Sequence, residues 1–266
     1  MPVDMTGGSF EQGAPSGGEK LQKLLARCGM GSRRACELMI ASGQVTVNGV
    51  KAHVGQRVDP VADTIAIDGV PAPLVPGAVY YLLNKPAGVV TSATAQDDRK
   101  VVLDFVPREP RVFTVGRLDA DSEGLLVLTN DGELAHRLAH PSHGVEKEYL
   151  VDVGRSPSAQ ALKALRDGIP LDDGPSAPAR VGVVAPGTVR IVIHEGRNRL
   201  VRRMFAAVGL PVNRLVRTRI GPIRDPDLAP GRWRPLTSGE VRSLAVAAWS
   251  AGSRPAATSG CAGGRG

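Results

Sequence analysis

The chain has 266 residues, of which 42% are apolar and 22% charged, and its formal net charge is +7. These proportions are typical of a globular protein, and no run of about 18 apolar residues is present that could cross a membrane. The three cysteines show no CxxC spacing, which argues against a disulfide framework or a structural zinc site and favours reduced thiols in a cytoplasmic protein.

The positive charge is concentrated in two segments. Residues 19–58 carry seven Lys or Arg against two Glu, and residues 190–220 carry eight Arg against one Glu. A polyanion is bound best by clustered cations, because each cation that neutralises a phosphate releases counterions. The two clusters therefore favour nucleic acid as the partner, and a basic surface that serves only solubility is the alternative.

The two ends of the chain are poor in apolar side chains. Residues 1–18 are polar and rich in glycine, and residues 251–266 read AGSRPAATSGCAGGRG. Segments of this composition bury too little apolar surface to order themselves. We predict that both ends are disordered.

The first ordered segment predicts two short helices and a hairpin. In EKLQKLLARC the apolar residues recur at helical spacing, and Gly29 supplies a stop. Ser32 offers an N-cap to a second helix that ends at Gly43. Alternating valines then lead into the turn Asn48-Gly49, the strongest short-range hairpin signal.

This pattern, with basic residues at the helix junction, resembles the RNA-binding module named for small-subunit ribosomal protein S-four. The resemblance covers about residues 19–66. It implies that five cations anchor RNA: Lys20, Lys23, Arg27, Arg33 and Arg34. A generic helix–turn–helix that carries surface charges is the alternative.

A second domain is predicted at residues 79–246, after a Pro- and Gly-rich linker at residues 67–78. Strands are predicted in VYYLLNK, which breaks at Pro86 and Gly88, and in RVFTVGRLD, GLLVLTN, EKEYLVDV and TVRIVIHE. Helices are predicted in SAQALKALRDG and RNRLVRRMFAAVG. Strands in runs, with helices between some of them, predict an α+β domain with a largely antiparallel mixed sheet.

The segment GRLDADSEGLLVLTNDGELAHRL, residues 116–138, resembles the catalytic motif of the RsuA/RluB branch of bacterial ribosomal RNA pseudouridine synthases. Four more segments follow the family's order: LNKPAG at 83–88, EKEY at 146–149, EGRNRLVRRMF at 195–205 and RLVRTRIG at 214–221. The resemblance covers about residues 19–240, with Ser122 standing where the family more often has Thr. It implies isomerisation of a specific uridine in ribosomal RNA and is greatest to large-subunit enzymes of the B type. A small-subunit target is the nearest alternative.

The resemblance also implies roles for individual residues. Asp119 is the catalytic carboxylate, Arg202 the cation that keeps it ionised, and Tyr149 the platform on which the extruded base stacks. The residues implied to bind the substrate are Arg117, which takes the place of the extruded uridine, Lys147, Lys85, Leu215, Arg197 and Asn198. Whether Asp119 attacks as a nucleophile or removes a ribose proton stays open.

We expect neither a metal nor an organic cofactor, and a cytoplasmic monomer that acts on ribosomal RNA or on a ribosome-assembly intermediate. Two rival functions remain. One is a non-catalytic RNA-binding or assembly factor. The other is a metal-dependent RNA hydrolase that uses His136 and His140, which lie four residues apart. The general-base Glu of an HExxH motif is missing from that segment, which favours solvent-facing histidines.

Overall fold

The computed structural model describes residues 18–60, 62–72, 77–92 and 99–250. Apart from Gly18, the disorder predicted for the chain ends falls on residues outside these ranges. The chain divides into two units between Gly69 and Val70. In the described ranges no helix has both the length and the apolar character needed to span a membrane.

The first unit contains two helices and short strands. The helices are α1 (Leu21–Arg27) and α2 (Arg33–Ala41), and the strands are β1 (Glu19–Lys20), β2 (Val45–Val47), β3 (Val50–Lys51), β4 (Arg57–Val58) and β5 (Ile65–Ile67). Strand β1 pairs with β4, and β2 pairs antiparallel with both β3 and β5. The predicted order of two helices and a hairpin is confirmed.

Local chemistry explains where these elements begin and turn. The Ser32 hydroxyl accepts a hydrogen bond from the Ala35 N–H at 3.2 Å, which caps α2 at its first turn. Asn48 and Gly49 both have positive φ, of 51° and 80°, as a two-residue hairpin turn of the primed type requires.

The second unit begins at the short strand β6 (Val70–Pro71), which lies in the stretch predicted as a linker. Its other strands are β7 (Tyr80–Lys85), β8 (Phe113–Thr114), β9 (Glu123–Thr129), β10 (Lys147–Asp152), β11 (Arg180–Ala185), β12 (Thr188–Ile193), β13 (Arg214–Ile220), β14 (Ile223–Arg224) and β15 (Trp233–Pro235). Its helices are α3 (Gly132–Ala139), α4 (Ala159–Asp167), α5 (Leu200–Ala207) and α6 (Ser238–Ser250). Two single 3-10 turns lie at Val102–Phe105 and Pro141–His143.

Nine of these strands form one sheet in the order β11-β12-β10-β13-β9-β7-β15, with β14 added to β13 and β8 added to β9. The β9–β13 pair is parallel, and the other pairs of this sheet are antiparallel. The predicted α+β class and largely antiparallel mixed sheet are therefore confirmed.

Separate apolar clusters cover the two halves of this sheet. Helices α4 and α5 pack on β10 and β12 through side chains such as Leu165, Phe205 and Ile191. Helices α3 and α6 pack on β7 and β9 through side chains such as Leu134 and Leu244. The parallel β9–β13 pair lies where the two halves meet.

A glycine is required at that junction. Gly124 has a φ of 109°, and a Cβ atom added to it would lie 2.2 Å from the main-chain oxygen of Arg217. Since a side chain would push β9 and β13 apart, the glycine of the SEGLLV segment permits the close approach that joins the two halves.

Candidate active site

A cavity of about 440 Å³ opens between the loop that joins β8 to β9 (residues 115–122, the Asp119 loop), strands β10 and β13, and the start of α5. Seven of the residues named from the sequence line it: Arg117, Asp119, Lys147, Tyr149, Arg197, Asn198 and Leu215. Arg199, Leu200 and Arg217 also line it, whereas Lys85 and Arg202 do not.

Lys85 supports the Asp119 loop from within the protein. Its side chain has no solvent exposure. Its ammonium donates to the carbonyls of Ser122 at 2.7 Å, Pro86 at 3.0 Å and Ala120 at 3.3 Å. Burial lowers the pKa of Lys85 to about 8. The sequence predicted that Lys85 binds the substrate, whereas in the structure its ammonium donates to two carbonyls of this loop and to the carbonyl of the adjacent Pro86.

A second buried side chain, Thr91, holds the same loop on the other side of Asp119. Its hydroxyl donates to the Leu118 carbonyl at 2.7 Å, and the Leu118 N–H lies 3.3 Å from the same hydroxyl oxygen. Thr91 was not identified from the sequence, because a threonine after an apolar strand carries no motif of its own.

Among the described residues, Arg199 is the cation nearest to the Asp119 carboxylate. Their charged groups are 3.7 Å apart, and the Asp119 side chain remains 31% exposed to the cavity and solvent. The sequence prediction gave this contact to Arg202. In the structure the Arg202 guanidinium lies 3.3 Å from the Asp121 carboxylate and donates to the Asp121 and Val212 carbonyls.

The local backbone explains why Arg199, and not Arg202, lies beside Asp119. Arg199 precedes α5 with a left-handed φ of 46°, whereas Arg202 is the third residue of the helix. Asp121 contacts both arginines, at 3.1 Å from Arg199 and 3.3 Å from Arg202. Partial burial opposes ionisation of Asp121, but the hydrogen bond from Arg199 and the two positive charges lower the pKa of Asp121 below its usual value. Asp121 therefore ties the Asp119 loop to the start of α5.

Tyr149 and Leu215 form the apolar wall of the cavity. Both are more than nine-tenths buried, and both belong to the cluster under α4 and α5. Strand β10 places Tyr149 directly opposite Arg217 on β13. A core strand thus fixes the aromatic ring, which leaves it little freedom to reorient.

Arg217 and Lys147 lie at the inner part of the cavity. The Arg217 side chain donates from Nε to the Leu125 carbonyl at 2.7 Å and from Nη1 to the Arg117 carbonyl at 3.5 Å. The Lys147 ammonium donates to the Leu138 carbonyl at 3.3 Å. Burial, and secondly the charge of Arg217, lower the pKa of Lys147 to about 8. Arg217 is a further cavity residue that the sequence prediction missed, although it stands in the RLVRTRIG segment.

Arg197 stabilises the outer wall. It pairs with Glu195 at 3.0 Å and with Asp173 at 2.8 Å, and it donates to the Gly174 and Pro175 carbonyls. Most of its donors are therefore occupied by the loop that closes this side of the cavity. Asn198, next to it, is exposed at the rim.

Comparison with known proteins identifies the family. A family model described as RNA pseudouridylate synthase matches residues 79–207, and one described as the S4 domain matches residues 19–65. A Mycobacterium tuberculosis protein named as an uncharacterized RNA pseudouridine synthase is 47% identical over 236 residues, which cover 85% of this chain and 93% of that protein. The chain belongs to the RNA pseudouridine synthase family.

Two further relatives agree with this assignment to the synthase family. The ribosomal large subunit pseudouridine synthase B of Bacillus subtilis is 41% identical over 234 residues, or 85% of this chain and 95% of the relative. A crystal structure described as a pseudouridylate synthase superposes with a TM-score of 0.60 and 32% identity, covering 85% of this chain and 99% of that one. The resemblance seen in the sequence is confirmed.

The basic residues expected to anchor RNA lie on the S4 domain of this synthase. Glu19 contacts both Lys23, at 3.5 Å, and Arg27. Arg33 and Arg34, at the start of α2, are exposed and make no ion pair within the described ranges. The two arginines therefore present charge that no neighbouring carboxylate neutralises.

The histidines invoked for a metal site lie outside the synthase cavity. The rings of His136, His140 and His143 are 5.2 to 5.9 Å apart, centre to centre. In the part of the chain that the structure describes, no group of three or more His, Cys, Asp or Glu side chains has a geometry that could hold a metal ion.

Proposed function

We propose that this synthase converts one uridine of large-subunit ribosomal RNA to pseudouridine, with Asp119 as its catalytic carboxylate. The observation that carries this proposal is the position of Asp119 in the cavity. Its carboxylate is partly exposed, lies 3.7 Å from Arg199, and shares the cavity with the buried faces of Tyr149 and Leu215.

This arrangement suits a reaction with no redox change and no net hydrolysis. The bond between ribose C1′ and uracil N1 must break, the base must turn, and its C5 must bond to C1′. One carboxylate can accomplish this, either by forming a covalent bond to C1′ or by removing a ribose proton. We infer that Arg199 places a positive charge beside the Asp119 carboxylate and that Arg202 positions the loop through Asp121.

The base must leave the RNA stack before it can reach Asp119. We propose that Tyr149 then stacks on the extruded uracil, with Leu215 beside it, and that Arg117 fills the gap left in the RNA. Arg117 is exposed at the cavity mouth, which supports this role. Lys147 and Asn198 complete the set that we assign to the substrate.

The large-subunit target is inferred from relatives. Proteins from Bacillus subtilis, Pseudomonas aeruginosa and Vibrio vulnificus that are 41% to 42% identical to this chain are each named ribosomal large subunit pseudouridine synthase B. We propose that residues 19–66 anchor the same RNA while residues 79–246 act on it. A ribosomal RNA substrate also favours a cytoplasmic location.

The test is to incubate the purified protein with unmodified ribosomal RNA and map pseudouridine through carbodiimide adducts and primer-extension stops. Wild type should produce one stop in large-subunit RNA, and Asp119→Asn should produce none. Asp167→Asn is the matched control, because Asp167 is an exposed helix residue paired with Lys163, and it should retain the stop.

Other outcomes would contradict the proposal. A stop that persists with Asp119→Asn removes Asp119 from the mechanism. A stop confined to small-subunit RNA corrects the target, and no stop on either free or ribosome-bound RNA favours a non-catalytic RNA-binding factor.

A further inference from the structure

Two buried cations line the cavity without a carboxylate partner. Arg217 is 4% exposed and Lys147 is 9% exposed, and both line the cavity that holds Asp119. Within the described ranges, no acidic side chain lies within ion-pair distance of either one. The two cations are also close enough for the charge of Arg217 to act on Lys147.

The neighbouring arginines of β13 are different. Arg214 pairs with Glu123 at 2.8 Å, and Arg219 pairs with Glu146 at 3.2 Å. Burying a charge without a counter-charge is unfavourable, so a fold that retains one at its active site points to a negative group that arrives with the substrate. Of the three arginines on β13, Arg217 is therefore the one whose charge is available to a ligand.

Both cations have donors to spare. The Nη2 atom of Arg217 is buried and has no hydrogen-bond acceptor among the described residues. Lys147 has three N–H donors, of which one is directed to the Leu138 carbonyl. These unsatisfied donors make the inner part of the cavity suited to bind oxygen atoms that carry partial or full negative charge.

The sheet places these donors beside Tyr149. Arg217 is the register partner of Tyr149 across β10 and β13, and Lys147 precedes Tyr149 by two residues on β10. Residues directly opposite each other in antiparallel strands project from the same face of a sheet. A uracil ring stacked on Tyr149 thus has its edge next to the two cations.

We propose that Arg217 and Lys147 bind the carbonyl oxygens of the extruded uracil and stabilise the negative charge that the base carries while it is detached from the ribose. This inference rests on the proposed function and names two residues that serve it. A phosphate of the flipped nucleotide could offer similar oxygens, and the test below separates the two sources.

The charge arises from the bond that must break. When the C1′–N1 bond cleaves, its electron pair stays with uracil, and the negative charge spreads over N1, O2 and O4. Asp119 either bonds to C1′ or takes the C2′ proton, which leaves a C1′–C2′ double bond. In the first case C5 then bonds to C1′ and displaces the carboxylate. In the second case C5 adds to C1′ and the proton returns to C2′. In both routes C5 loses its proton and N1 gains one, so the product is an isomer of the substrate.

Donors aimed at a charge that develops in the transition state accelerate a reaction more than they tighten binding. Replacing Arg217 should therefore affect the rate of base detachment more than the affinity for RNA. The effect should also shrink when the base itself stabilises the negative charge better. A fluorine at C5 of uracil withdraws electron density and has that effect.

The experiment measures single-turnover rates on an RNA that carries either uridine or 5-fluorouridine at the target position. Loss of the starting nucleoside is followed by nuclease digestion and chromatography. We expect Arg217→Gln to slow uridine conversion about 100-fold, the size typical of losing one donor to a developing anion. The slowing on 5-fluorouridine should be at least about fivefold smaller, and the Kd for RNA should change less than about threefold.

Arg219→Gln is the matched control, because Arg219 lies on the same strand and pairs with Glu146. It should slow neither substrate. Lys147→Gln provides a second variant with the same expected pattern, and it decides the question if thermal unfolding shows that Arg217→Gln does not fold.

Two results would overturn the inference. Equal slowing on both bases would show that Arg217 only supports the fold of the site. A weakened Kd with an unchanged rate would show that the cations hold a phosphate. Either result leaves the proposed function standing, since that function is tested by whether wild type converts uridine in large-subunit RNA and Asp119→Asn does not.

Discussion

Replacing Lys85 with methionine tests whether buried main-chain contacts hold the catalytic loop. The substitution removes three hydrogen bonds from the ammonium to the Ser122, Pro86 and Ala120 carbonyls. The Ala120 carbonyl keeps a second donor, the Gly88 N–H at 2.7 Å, whereas the Ser122 and Pro86 carbonyls lose the Lys85 donor at a cost of about 1–3 kcal/mol each. Removing a buried charge offsets part of this, because the lowering of the Lys85 pKa from 10.5 to about 8 corresponds to about 3 kcal/mol. We therefore expect Lys85→Met to reduce the free energy of unfolding by about 1 kcal/mol.

Urea unfolding of wild type and Lys85→Met measures this difference, provided that the slope of the transition is unchanged. The variant should also lose turnover, because the Asp119 loop is no longer fixed. Lys163→Met is the control, since Lys163 is exposed on α4, and its free energy of unfolding should change by less than about 0.5 kcal/mol. A change as small as that in Lys85→Met, with full turnover, would refute the reasoning.

Three further predictions concern the sheet junction, the S4 domain and the pH profile. Gly124→Ala should destabilise the protein by about 3 kcal/mol or more, because its Cβ would lie 2.2 Å from the β13 backbone. Gly132→Ala is the control: its Cβ would meet nothing within 4 Å, so its free energy of unfolding should barely change in the same urea experiment. Arg33→Gln combined with Arg34→Gln should reduce the salt dependence of RNA binding by about two counterions, and an unchanged slope in a salt titration of Kd would exclude these arginines from phosphate contact. Burial lowers the pKa of Lys147 to about 8, so its charge is lost as the pH rises through about 8 and kcat/KM should fall there. Lys147→Arg should keep its rate to higher pH. A fall at the same pH in both proteins would contradict the role of Lys147.

Much of the fold follows from local signals in the sequence. The Ser32 cap and the Asn48-Gly49 turn are short-range features, and each takes the predicted form. The unbroken apolar run of strand β7 also predicts a buried strand. The structure explains the run, because Tyr81 and Leu83 pack into one apolar cluster on one face of the sheet while Tyr80 and Leu82 pack into another.

Local signals do not predict every element. Strand β13 carries three arginines in seven residues and lacks the alternation of a half-buried strand. Its partner β9 lies about 90 residues earlier, so only the folded chain reveals their parallel pairing. Helix α6, by contrast, could have been predicted from the sequence, because its buried residues Val241, Leu244, Ala245 and Ala248 recur at helical spacing.

The site shows the same division between motif and geometry. The GRLD segment identifies Asp119, but two arginines three residues apart in RNRLVRR are equally suited to it by sequence. The left-handed backbone at Arg199 separates them, since Arg199 lies between Asp121 and Asp119 while Arg202 contacts Asp121 alone of the two carboxylates. A dihedral angle of this kind leaves no trace in residue type, because arginine rarely adopts it.

The contacts around Asp119 act on the main chain and leave the carboxylate accessible. Thr91 binds the Leu118 carbonyl, Arg217 the Arg117 carbonyl, and Lys85 two carbonyls that follow Asp119. A loop held by its carbonyls keeps its position while the side chain it presents remains available to react. The closest charged contact of Asp119, at 3.7 Å from Arg199, is long for a hydrogen bond. The main chain is therefore fixed while the carboxylate makes no strong bond to the protein. Asp119 can attack the ribose, or take its proton, without first breaking such a bond.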